Sequence, residues 1–148
     1  MRIKYLGLIL VLLIRHTSCL AEVDVCNPEK ANAYLDERKY KFAFEFLKNC
    51  ENSSKETAEI LSQLAFLHRK SFGLGDFKTD RERVKKAYEL YLKAALKGNE
   101  LSISIIKGVF EHGDQMLDLK KEPEKALCLE KLLSQDDYTF EEIKCCIE

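Results

Sequence analysis

The chain has 148 residues, 46% of them hydrophobic and 33% charged, with six cysteines, no tryptophan and a formal net charge of -1. That near-neutral balance excludes a nucleic-acid surface, which needs a clear basic excess. The length suits a single domain, and the cysteine content points to an oxidising compartment.

Residues 1–21 read as a signal peptide. Arg2 and Lys4 give the positive start, Tyr5 to Ile14 an apolar run, and Cys19-Leu20-Ala21 small residues at cleavage spacing. That run is too short to cross a bilayer and no later stretch approaches it, so no membrane span is expected. Cys19, preceded by the small Ser18, is a candidate lipid anchor, although His16 occupies the place where lipoprotein processing prefers an aliphatic residue. Cleavage after Ala21 removes Arg2, Lys4 and Arg15, so 24 basic side chains less 3 leaves 21 against 25 acidic ones, a formal charge of about -4. The expected product is one domain, 22–148, exported to the periplasm or secreted.

Helical period dominates this domain, with no alternating strand pattern. Asn27 and Pro28 open a first helix with Ala31, Tyr34 and Leu35 on its apolar stripe. A turn near Arg38 and Lys39 leads to a second, carrying Phe42, Ala43, Phe46 and Leu47. Ser53 and Glu56 have capping-box spacing and predict the start of a third, with Leu61, Leu64, Ala65 and His68 on one face. Gly73 and Gly75 interrupt the helical pattern, and Thr79 with Glu82 forms a second box. The fourth helix then buries Val84, Ala87, Tyr88, Tyr91, Ala94 and Ala95 and stops at Gly98. Asn99 caps a fifth helix bearing Leu101, Ile105, Ile106, Val109 and Phe110, which Gly113 ends. Pro123 opens a sixth with Ala126, Leu127, Leu129, Leu132 and Leu133, and Thr139 with Glu142 caps a short last helix through Ile147.

The segments KFAFEFLKNC, KKAYELYLKAALKGN and EKALCLEKLL repeat one pattern, placing Ala43, Ala87 and Ala126 at intervals of 44 and 39 residues. Each interval holds two helices and two turns, and a small residue at the same place in each unit lets helix backbones approach closely. The expected fold class is all-α: antiparallel helix-hairpin repeats stacked as a short α/α superhelix, stapled by disulfides. Cys26 and Cys50 lie symmetrically about the turn near residue 38, and Cys128 pairs in the same sense with Cys145 or Cys146 about Asp136-Asp137. Cys146 continues the apolar side with Ile143 and Ile147, whereas Cys145 points about 100° away. No Cys-x-x-Cys spacing or neighbouring histidine suggests a metal, so neither metal nor cofactor is expected.

The stretch KKAYELYLKAALKGN followed by LSISIIKGVFEHGD resembles a Sel-1-like repeat, a relative of the tetratricopeptide repeat. The matching positions are Lys93, Ala94, Ala95, Gly98, Asn99 and Gly113, then Glu124, Lys125 and Ala126, within a resemblance that is good from Thr79 to Leu133 and weaker from Asn27 to Phe77. It departs at Ser102 and at Ser104 to Ile106, where that family prefers alanine and a Leu-Gly pair. The resemblance implies two full units between terminal helices and a concave face that engages another protein. Exported, cysteine-rich members are linked to envelope or host interactions, and some resemble immunity proteins that neutralise toxins.

Tyr88, Tyr91 and Phe110 are candidates for either the core or a partner-binding face, because aromatics often anchor interfaces. His68 falls on an apolar stripe and His112 at a helix end, neither accompanied by a catalytic or metal-binding partner. Gly73-Leu74-Gly75 is too short for a nucleotide fingerprint, and the basic run from Lys78 to Lys86 reads as a solvated helix start. Asn52-Ser53-Ser54 matches a glycosylation acceptor, relevant only in a eukaryotic secretory pathway. The expectation is an exported, non-catalytic protein-binding module, with an inhibitor or immunity protein as its specific variant. The alternatives are a cysteine-rich exported repeat enzyme acting on a small cell-wall-related ligand, and a structural envelope component.

Overall fold

The computed structural model describes residues 25–70 and 75–148; the signal-peptide reading, Cys19 and Gly73 lie outside these residues. The described residues form α1 (Pro28–Asp36), α2 (Tyr40–Leu47), α3 (Ala58–Arg69), α4 (Asp80–Leu96), α5 (Glu100–His112), α6 (Pro123–Leu133) and α7 (Phe140–Ile147). They contain no strand, only an isolated bridge between Asp114 and Leu119. No helix among them is long and apolar enough to cross a membrane.

Local chemistry sets most helix starts. Asn27, Thr57, Thr79, Asn99 and Thr139 each accept a hydrogen bond from a backbone N–H in the first turn, satisfying a donor that the helix itself leaves unpaired. Thr139 and Glu142 complete a reciprocal box. The box expected at Ser53 does not form, and α3 starts at Ala58. Ser53 Oγ instead donates to the Cys50 carbonyl, and the Glu56 carboxylate accepts from the Asn52 N–H at 2.7 Å, closing a tight turn. Asn52 occupies the left-handed region there, a conformation that asparagine tolerates. At the second box Glu82 reaches one residue further back than expected, to the Lys78 N–H at 2.8 Å.

Consecutive helices pack on one another along the chain, most extensively α3 on α4, and the α1–α2 hairpin meets the remaining helices through α3. The chain also closes back, with α7 touching α4. Ala43, Ala87 and Ala126 are all buried, in α2, α4 and α6. Around them Leu47, Ile60, Leu61, Leu67, Leu90, Ile103, Ile106 and Leu129 are withdrawn completely from solvent. Phe42, Leu101 and Leu127, expected on apolar stripes, are instead exposed. Each sits one residue off its helix's inward row, which runs through Ala43, Phe44 and Leu47, through Ser102, Ile103 and Ile106, and through Ala126 and Leu129. One residue is a rotation of about 100°, enough to move a side chain from core to water.

Gly113 ends α5 at φ +74° and ψ 176°, a combination essentially restricted to glycine. A Cβ there would stand 2.8 Å from the Leu119 carbonyl oxygen, across the bridge that turns the chain toward α6. Gly113→Ala is expected to cost about 1–3 kcal/mol in urea unfolding, and a change below measurement error would show that the turn relaxes freely.

Candidate interaction surface

The α1–α2 hairpin carries an aromatic group that is only partly withdrawn from water. Tyr34 of α1 stacks on Phe42 of α2 with ring centroids 6.0 Å apart, and meets Phe46 edge-on at 6.2 Å. Phe42 is nevertheless 64% exposed, while Tyr34 and Phe46 are half-buried. Two constraints hold this group in place. The Cys26 and Cys50 sulfurs lie at disulfide-bonding distance, closing the hairpin at its open end. From α3, the Gln63 amide Nε2 donates to the Pro28 carbonyl at 3.0 Å and to Asn32 Oδ1 at 2.8 Å, fixing α1 against the body. The stacking is therefore built on a fixed scaffold, which lowers the ordering cost of engaging a partner.

The aromatics singled out from sequence sit elsewhere. Tyr91 and Phe110 are 3% and 5% exposed, both within the core, and burial pushes the Tyr91 phenol up to about 12. Lys125 lies over the Phe110 ring at 5.3 Å from its centroid and donates to the Ile147 carbonyl at 3.0 Å, tying α5, α6 and the end of α7 together. Tyr88 is half-buried; burial raises its phenol, and the Glu122 and Asp114 carboxylates add to the effect.

In the basic run at the start of α4, Lys78, Arg81 and Lys85 are exposed as expected, whereas Arg83 and Lys86 turn to partners elsewhere in the fold. Arg83 is 8% exposed, and its guanidinium donates to the His68 and Arg69 carbonyls and to Asp80, so it closes the C-terminal end of α3. Lys86 and Lys93 both reach Glu51, at 2.7 and 3.1 Å, and Lys97 reaches Glu56 at 3.2 Å. Burial pushes the Glu51 carboxyl up, but the hydrogen bonds from Lys86 and Lys93 outweigh it and hold it below the usual carboxylate range. This row of lysines fastens residues 50–56 to α4.

An open cleft of about 490 Å³ lies between the end of α3, the start of α4 and the turn after α5, lined by Arg69, Arg83, Val84, Gly113, Asp114 and Met116. Arg69 stands 3.8 Å from Asp114, whose other carboxylate oxygen accepts from the Met116 and Leu117 N–H groups. The second cysteine pair is Cys128 with Cys146, joining α6 to α7, while Cys145 is exposed and unpaired. No group of three or more metal-ligating side chains occurs among the described residues.

The chain matches no family model, no curated protein and no solved structure.

Proposed function

We propose that this protein is an exported, non-catalytic module that binds another protein, and that Phe42 is its principal anchor. The observation carrying this reading is the Tyr34–Phe42 stack: a large apolar ring two-thirds in water, held on a hairpin closed by its own cysteine pair. Exposed aromatics on a rigid support are the side chains that most often dominate binding energy. The helix-repeat reading draws support from the pairwise packing of successive helices and from the burial of Ala43, Ala87 and Ala126. In the inhibitor variant, the hairpin would seat Phe42 in the active-site mouth of a toxin or hydrolase.

The test is native capture by the disulfide-intact chain, quantified for wild type, Phe42→Ala and Leu127→Ala. Wild type is expected to hold one stoichiometric protein. Phe42→Ala should weaken that complex roughly thirtyfold, a loss of about 2 kcal/mol, while changing stability by no more than about 1 kcal/mol. Leu127→Ala, which removes another exposed large apolar side chain, from α6, should leave binding intact. Undiminished capture by Phe42→Ala would remove the hairpin from the interface. The second reading, a protein that takes a small ligand, is favoured by the cleft containing the Arg69–Asp114 pair, whose opposed charges suit a zwitterion.

A further inference from the structure

We infer that His68 is an acid-sensitive latch on the seam between the α1–α2 hairpin and α3–α4: a proton on its imidazole loosens the hairpin while the neutral ring holds it closed. His68 lies in the last turn of α3 and is 6% exposed. Its ring is wedged edge-to-face between Phe44 of α2, at 5.3 Å and 79°, and Phe77 just ahead of α4, at 5.1 Å and 87°. Its Nδ1 is buried and has no hydrogen-bond partner among the described residues. A neutral imidazole can occupy such a slot as an aromatic ring. An imidazolium fits it poorly, because both ring nitrogens then carry protons, and the buried Nδ1 faces no acceptor among the described residues.

The charged groups facing the ring add to the penalty. Arg83 and Lys86 approach from α4, and Glu51 from the loop after α2 is the opposing carboxylate. Glu51, itself shared between Lys86 and Lys93, favours the imidazolium less than Lys86 opposes it, though more than Arg83 does. Burial is the largest influence holding the His68 pKa below its ordinary 6.5, with Lys86 next. The sign follows directly. The folded chain binds fewer protons at this site than the unfolded chain, so stability is complete above pH 6.5. It falls as pH drops through that value, by at most about tenfold in the unfolding equilibrium per pH unit, until the folded-state pKa is reached.

The seam is also where the fold can yield locally. The hairpin meets the other helices through α3, and Phe44 is part of that contact. The Cys26–Cys50 pair keeps the hairpin closed on itself. Glu51 and Glu56 are held below the usual carboxylate range, so their lysine ties to α4 persist at pH 5. Protonation of His68 therefore leaves residues 50–56 anchored as a pivot while α2 separates from α3. The latch requires no partner and stands independently of the binding role proposed for Phe42.

Urea unfolding and hydrogen exchange of the disulfide-intact chain between pH 7.5 and 5.0 test it. The wild-type midpoint should fall steadily below pH 6.5, and α2 amides should lose protection, corrected for intrinsic exchange rates, at least tenfold more than amides of α5 and α6. His68→Phe should flatten the midpoint over that range; His112, exposed at the end of α5, remains as an internal control. Should His68→Phe fail to fold, Phe77→Ala serves instead, since it admits water to the ring and should shrink the slope. A wild-type midpoint independent of pH, a slope that survives His68→Phe or Phe77→Ala, or protection lost equally from every helix would each overturn the latch.

Discussion

Leu90→Ala is expected to lower stability by about 3–4 kcal/mol, in the middle of the range for leucine truncation in a core. Leu90 is wholly buried near the middle of α4, the helix that packs on α3, on α5 and on the returning α7. Its neighbours on the same helix, Ala87, Ala94 and Ala95, are also buried and are already small. They offer no side chain long enough to swing into the space that the leucine leaves. The hole therefore persists, and the penalty includes unrecovered packing as well as lost transfer energy. Domains of this size hold only about 5–15 kcal/mol in total, so the loss is a large fraction of the whole. Urea unfolding with a single global transition would measure it. The half-buried Leu92 on the same helix is the control, and its alanine variant should cost less than half as much. Equal costs at the two positions would mean that α4 is not the shared centre of the core.

Leu90 also marks a limit of sequence reading. The predicted stripe on α4 ran through Val84, Ala87, Tyr88, Tyr91, Ala94 and Ala95, and all of these are buried or half-buried. A single stripe describes a helix lying on one surface. Here α4 is covered from three directions, so a further row through Leu90 is buried as well. The helix ends were more legible, because a cap is local chemistry: Asn27 with Pro28, Asn99 and Thr139 start helices where expected, and Gly98 and Gly113 end them. The exception at Ser53 arises because a Ser-x-x-Glu spacing closes a turn as readily as it opens a helix. Glu56 there bonds the Asn52 N–H, before the helix has begun.

The candidate surface was less legible for a different reason. Tyr34, Phe42 and Phe46 were all recognised as apolar members of two helices, yet the rotation of α2 that exposes Phe42 depends on Phe44 and Leu47 taking the inner row. Nothing in the pattern FAFEFL decides whether Phe42 or Phe44 faces inward, since both are large and apolar. The packing of α2 on α3, with Phe44 against His68, decides it. Arg83 was equally concealed among five basic residues between Lys78 and Lys86. Its role depends on where α3 ends in space, 14 residues earlier in the chain. His68, by contrast, was legible as a buried residue from its place beside Leu61, Leu64 and Ala65. Its edge-to-face partners were not, because they come from α2 and from the segment leading into α4.

Cys146→Ser is expected to cost about 3 kcal/mol, whereas Cys145→Ser should change stability by less than about 0.5 kcal/mol. The two residues are adjacent, but on α7 they point about 100° apart. Cys146 is 5% exposed and faces Cys128 on α6, beside the buried Ile143, while Cys145 lies on the solvent side. For Cys145 to replace its neighbour, α7 would have to rotate by that angle. The rotation would carry Ile143 out of the core and break the fit of α7 against α6 and α4, at a cost of the same order as the bridge itself. Thiol counting under native conditions separates the outcomes. Cys146→Ser should expose two free thiols, Cys128 and Cys145, and unfold at lower urea. A variant with no free thiol and a peptide map linking Cys128 to Cys145 would show instead that α7 turns easily, and that the apolar face of this last helix does little to fix its orientation.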